Sequence, residues 1–267
     1  MKLKSKIARV ISTLSILFMF SILIGCANND KEESKNEKEN VKLTIAAAAS
    51  LNEALTEIGQ EYQNIHKNVK ITYNFGGSGT LQKQIENGAP IDLFFSAAQD
   101  KFKELQKQGI LETDLSADLL RNDLVMIVGN ENNSLKNIND LTKASKIALG
   151  TPATVPAGQY GKQTLENLKL WSDVESKIVF AKDVRGVLTY VESGNVDAGF
   201  VYHTDALASK MVRVAATVSD GLHDPIIYPV GVMKDSKHKE EAKDFYQYLQ
   251  SKEAIAVFEK YGFKGME

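Results

Sequence analysis

Four separated stretches of the 267-residue chain offer the same kind of chemistry. They are residues 46–51 (AAAASL), 76–80 (GGSGT), 154–160 (TVPAGQY) and 182–187 (KDVRGV). Each lies where an extended or turn-like run gives way to helical periodicity, so each presents backbone N–H groups that have no partner inside the coming helix. Ser50 and Ser78 add hydroxyls to two of them. No stretch centres on a carboxylate, although Asp183 lies near one. Such a set of donors suits an anion that carries no proton of its own. Gly76, Gly77 and Gly79 let the backbone come close to whatever is held. The glycine run is not a phosphate loop, because no Gly-Lys-Ser/Thr ending follows. Nor is it a nucleophile elbow, because Thr80 stands where the last glycine belongs. Taken alone, Ser50 and Ser78 also read as ordinary helix caps.

Other chemistry-bearing residues do not assemble into a catalytic pattern. His66, His203, His223 and His238 are scattered without metal-ligand spacing. Asp92 reads as a loop-bonding acid, Trp171 as packing, and Arg185 as structural rather than anion-binding. Tyr202 reads either as a phenol donor or as a core tyrosine. No His–Ser or carboxylate pair is evident, so no catalytic residue and no cofactor are expected.

The elements that must position these loops alternate. Strands are expected at 41–46, 69–75 and 91–96, with helices at 52–66, 80–87 and 99–108. The first helix shows Ala54, Leu55, Ile58 and Tyr62 at helical spacing. A second series follows: strands at 124–129, 146–149, 178–180, 198–202, 212–218 and 226–232, and helices at 157–168 and 185–193. Two helices, 239–249 and 252–261, close the chain. The expected fold is α/β with two lobes, each a mostly parallel sheet flanked by helices. The lobes would comprise residues 41–121 with 226–267, and 122–225, joined by a two-segment hinge. Ligands of such sheets bind beyond the carboxyl ends of the strands.

Residues 1–25 read as a signal segment. Lys2, Lys4, Lys6 and Arg9 precede an apolar run ending Leu23-Ile24-Gly25-Cys26. This run resembles a bacterial lipoprotein signal, which implies lipidation of Cys26, the one cysteine of the chain. Residues 26–40 are polar and charged and read as a tether. Loss of residues 1–25 removes four positive charges and takes the formal net charge from −2 to −6. An acidic chain argues against nucleic acid as partner.

The runs AAAASL, FGGSGTLQKQIENGAPIDLFFSAAQD, VPAGQYGKQTL and DVRGVLTYVESGNVDAGFVYHTDA occur in order. Together they resemble the molybdate-binding proteins of bacterial molybdate ABC importers, from about Val41 to Phe263. The resemblance implies a type II periplasmic-binding-protein fold that closes on a tetrahedral oxyanion. It implies that Ser50 and Ser78 donate hydroxyl and amide, Ala157 and Val184 donate backbone N–H, and Tyr202 donates its phenol. Molybdenum would enter only as the bound oxyanion, molybdate or tungstate. The implied partners are an ABC permease and, through Cys26, the outer face of the cell membrane, with the protein acting as a monomer. Some members carry more serines where Gly76-Gly77-Ser78-Gly79 stands here, so the glycines are expected to loosen that loop. Sulfate or thiosulfate is the alternative ligand, since charge and shape match and only size differs.

Overall fold

Successive side chains on a strand point to opposite faces of its sheet, and Phe94 and Phe95 show what covers each face. In the computed structural model, which describes residues 40–266, Phe94 stacks on Phe102 at 6.0 Å between ring centroids. Phe95 meets Phe258 edge-on at 5.9 Å. Helices therefore pack on both faces of this sheet. The signal segment, Cys26 and all of the tether but Asn40 lie outside the described residues.

The elements run β1 (Val41–Ala48), a 3-10 turn (Ala49–Leu51), α1 (Asn52–Ile65), β2 (Val69–Gly76), α2 (Ser78–Glu86), β3 (Leu93–Phe95), α3 (Gln99–Lys107) and β4 (Leu111–Arg121). Then come β5 (Leu124–Gly129), β6 (Ile147–Gly150), α4 (Pro156–Asn167), α5 (Trp171–Val174), β7 (Ile178–Ala181), α6 (Val184–Glu192), β8 (Ala198–Tyr202), α7 (His203–Leu207) and β9 (Val212–Thr217). The last are β10 (Ile227–Met233), α8 (Lys239–Tyr248), α9 (Lys252–Lys260) and β11 (Lys264–Gly265).

Two sheets result. The six-stranded sheet has the order β11-β4-β10-β3-β1-β2, and the five-stranded sheet the order β7-β6-β8-β5-β9. The chain leaves the first sheet after Arg121, joins the second at Leu124, and returns between Thr217 and Ile227. The α/β class with helix-flanked sheets agrees with expectation, but the sheets are mixed rather than mostly parallel. Strands β2, β1 and β3 run parallel, as do β7, β6 and β8. Strands β10, β4 and β11 add antiparallel on one sheet, and β5 and β9 on the other. Only βαβ crossovers impose parallel neighbours. β10 arrives from the other sheet and is free of that constraint.

Strand β4 has no counterpart in the sequence reading. Its residues LETDLSADLLR do not alternate cleanly, Thr113 and Asp114 are exposed, and its register against β10 shifts twice. Three helices begin one or two residues earlier than their periodicity suggests, at Ser78, Pro156 and Val184. The shifts at Ser78 and Val184 bring those two expected site residues into a first helical turn; Ala157 lies in one by either boundary.

Candidate functional site

The six parallel strands deliver their carboxyl ends to one place. Ser50 follows β1, Ser78 follows β2 and Ala97 follows β3; Ala157 follows β6, Val184 follows β7, and Tyr202 ends β8. All six residues line a single cavity between the two sheets. The free space at the site, open solvent included, is about 190 Å³, but the centre of a water-sized sphere can move over only about 10 Å³. That suits an ion of few atoms and excludes a sugar, peptide or nucleotide. No charged side chain lines it.

A backbone donor sets the polarity of the Ser78 hydroxyl, and Tyr228 partners that of Ser50. Ala97 N–H donates to Ser78 Oγ at 2.9 Å, and Ser78 is fully buried. Its own O–H remains for the cavity. On the other strand end, Asn122 Nδ2 donates to the Tyr228 hydroxyl at 3.3 Å, which lies 3.0 Å from Ser50 Oγ. Either of these two hydroxyls can donate to the other; when Tyr228 donates, the Ser50 proton is left for the cavity. Asn122 Nδ2 also reaches Thr204 Oγ1 at 2.9 Å, while its Oδ1 accepts from Asp123 N–H at 2.9 Å. That pair of contacts fixes which way the amide points.

Tyr202 supplies a third side-chain donor. Its hydroxyl is buried and has no hydrogen-bond partner among the described residues, a cost that calls for a ligand or water. Burial pushes the phenol well above its usual range, so it stays neutral and protonated. Ala157 and Val184 sit in the first turns of α4 and α6. Their N–H groups have no acceptor four residues back, and both helix dipoles are positive at that end.

Backbone contact brings the two sides together. Gly79 N–H in α2 donates to Thr154 O, before α4, at 2.9 Å. A Cβ added at Gly77 would stand 2.7 Å from Thr154 O, and one at Gly79 would stand 2.8 Å from Thr154 Cα. These two glycines admit the backbone of the opposite side, which differs from the loosening expected of them. Tyr160 also crosses, its hydroxyl 3.4 Å from Ala97 O.

Arg185, one residue past Val184, does not line the cavity. Its guanidinium pairs with Glu53 of α1 and lies 3.0 Å, through Nε, from the buried carboxylate of Asp205. The Nε–Asp205 contact is close but lacks hydrogen-bond alignment. Burial pushes Asp205 up to about 7 despite the pull of Arg185. His203 opens α7, its N–H bonded to Asp123 O at 2.9 Å, and stays outside the cavity. Asp92 accepts from Thr44 N–H and Ser236 Oγ, both at 2.7 Å. It borders a larger cleft of about 650 Å³ on the six-stranded sheet. None of the unpartnered buried side-chain atoms among the described residues belongs to that cleft, whereas the Tyr202 hydroxyl of the small cavity is one of them.

The sequence reading named five of these residues and missed Ala97, Tyr228 and Asn122. Tyr228 reads as one more apolar residue of a strand, and Asn122 as a connecting residue. Their roles exist only through contacts more than 80 residues apart in sequence, Tyr228 to Ser50 and Asn122 to Thr204 and Tyr228.

The pattern of bacterial extracellular solute-binding proteins matches residues 43–264. The chain belongs to that family. Among curated relatives of this solute-binding protein is YvgL of Bacillus subtilis (strain 168), provisionally named an ABC transporter substrate-binding lipoprotein. It is 50% identical over 251 residues, covering 94% of this chain and 96% of YvgL. The molybdate-binding protein ModA of Escherichia coli (strain K12) is 37% identical over 229 residues, covering 83% of this chain and 88% of ModA. Among solved structures, the periplasmic molybdate-binding protein of Azotobacter vinelandii superposes with a TM-score of 0.76 at 22% identity, covering 84% and 100% of the two chains. The sulfate-binding protein SubI of Mycobacterium tuberculosis H37Rv superposes at 0.70 with 17% identity, covering 85% and 88%. At those identities the two structures establish a shared fold for this solute-binding protein.

Proposed function

We propose that this protein captures molybdate, and tungstate with it, outside the cytoplasm and delivers the ion to an ABC importer. The lobes are residues 41–121 with 226–267, and residues 122–225, and they close around one tetrahedral oxyanion. Ser50 and Ser78 approach it from the first lobe. Ala157, Val184 and Tyr202 approach it from the second. The lipid on Cys26 and the tether that follows hold the protein at the membrane as a monomer. The protein makes and breaks no covalent bond, so it is a carrier and not an enzyme.

The observation that carries this reading is the donor-only cavity. A buried phenol without a hydrogen-bond partner among the described residues, a Ser78 hydroxyl whose oxygen already accepts from a backbone N–H, the Ser50 hydroxyl and two helix starts can all offer protons, and none of the residues that line the cavity is a carboxylate. Molybdate is a proton-free dianion at neutral pH and needs only donors. A protonated phosphate would require an acceptor as well. Hydrogen bonds to an ionised group contribute about 1.5–3 kcal/mol each. Dehydration of the dianion and lobe closure offset much of that gain. The net is about −8 to −11 kcal/mol, a Kd from about micromolar to tens of nanomolar. Relatives named for molybdate at more than a third identity support the same choice.

Titration calorimetry with molybdate, tungstate, sulfate and thiosulfate tests it. Molybdate and tungstate are expected to bind at one ion per chain, well ahead of the two sulfur oxyanions. A preference for sulfate would move the protein to the alternative ligand while keeping the site.

A further inference from the structure

The cluster of Glu53, Arg185 and Asp205 is not consumed by the contacts that hold the ion. Glu53 lies in the first turn of α1, just after Ser50, on the six-stranded side. Arg185 lies in the first turn of α6, just after Val184, on the five-stranded side. Their ion pair therefore spans the same gap as the cavity, on its flank. Asp205, in α7, is fully buried, while the Arg185 side chain is 23% and the Glu53 side chain 39% exposed. The arginine thus has one partner on its own side of the cleft and one on the other.

We propose that these three residues form a closure latch, in which Asp205 holds the Arg185 guanidinium in place and Glu53 engages it only when the two sides have closed. The latch rests on the cleft-closure reading above and adds to it a control over how long the ion is held. Arg185 keeps Asp205 in both states, because both belong to the five-stranded side. Glu53 leaves when the cleft opens. An interaction present in one state alone shifts the population toward that state. The pair is half-exposed, so its contribution is modest and screened by salt. Surrounded by two acids, the guanidinium also presents no free positive charge to the cavity.

The test is stopped-flow measurement of molybdate association and dissociation on the full chain, with variants Glu53→Gln, Arg185→Gln and the double substitution. Glu53→Gln is expected to speed dissociation about two- to fivefold with association nearly unchanged. The double variant is expected to dissociate no faster than Arg185→Gln alone, because the two act as one unit. High salt is expected to speed dissociation from the wild type and not from Glu53→Gln. An unchanged dissociation rate in Glu53→Gln, or effects that multiply in the double variant, would overturn the latch. Should the wild type bind none of the oxyanions, the binding reading fails separately. The latch is then read by small-angle scattering at low salt. Wild type more closed than Glu53→Gln supports it, and identical profiles overturn it.

Discussion

At the start of α6 two regions of opposite electrostatic character lie one residue apart. Val184 lines a cavity that no charged side chain among the described residues lines, while Arg185 turns its guanidinium to Glu53 and Asp205. The first region works with fixed dipoles that are already in place and need no counter-ion. The second region sets a full positive charge between two acidic side chains, one of them buried and with a raised pKa. A free arginine in the cavity would bind any anion. Dipoles of fixed geometry favour one size and one protonation state instead. On the function proposed above, the contrast lets a chain of net negative charge hold a dianion without a salt bridge to it.

Breaking the uncharged region has the largest expected effect. Ser78→Asp places a carboxylate among the donors, and like charges brought together cost several kcal/mol; calorimetry is expected to show molybdate binding reduced by at least ~100-fold. Gly79→Val puts a branched side chain where even one Cβ would stand 2.8 Å from Thr154 Cα. Closure is then blocked, and a loss of about 100-fold is expected, with circular dichroism reporting an intact fold. Removing one donor is milder: Ser78→Ala is expected to weaken binding by about 1–3 kcal/mol.

The charged region should matter less. Arg185→Ala is expected to weaken molybdate binding by less than Ser78→Ala does. A larger loss at Arg185 would reverse the comparison and make the guanidinium the principal anchor. A last prediction concerns stability rather than binding, a pH dependence that comes from Asp205. Its pKa is pushed up to about 7 by burial, above an unfolded value of about 3.9. The folded state therefore holds this proton more tightly, and the contribution to stability is greatest below the lower value. It declines as pH rises and is lost by about pH 7. Urea midpoints at pH 5 and pH 8 are expected to show a decline that Asp205→Asn reduces.

Much of this arrangement was legible in the sequence because it is local. Ser50, Ser78, Ala157 and Val184 sit at strand-to-helix junctions, and junctions announce themselves through glycine, proline and a change of period. Ser78 and the α2 start were readable for that reason, although the helix begins two residues before its periodicity does. What escaped is non-local. Strand β4 shows no clean alternation, because parts of it face solvent and its pairing with β10 is irregular. The direction of β10 depends on the chain's return from the other sheet. Tyr228 and Asn122 orient Ser50 only after the fold has formed. The reason for two glycines beside Ser78 is likewise invisible until Thr154 arrives against them.

A crystal structure of the protein with molybdate bound tests the central claim most directly. The account predicts the ion in the small cavity, its oxygens within hydrogen-bond distance of Ser50, Ser78, Ala157, Val184 and Tyr202, with Arg185 still turned to Glu53 and Asp205. An ion bonded to the Arg185 guanidinium or to any lysine, or seated in the larger cleft beside Asp92, would contradict it.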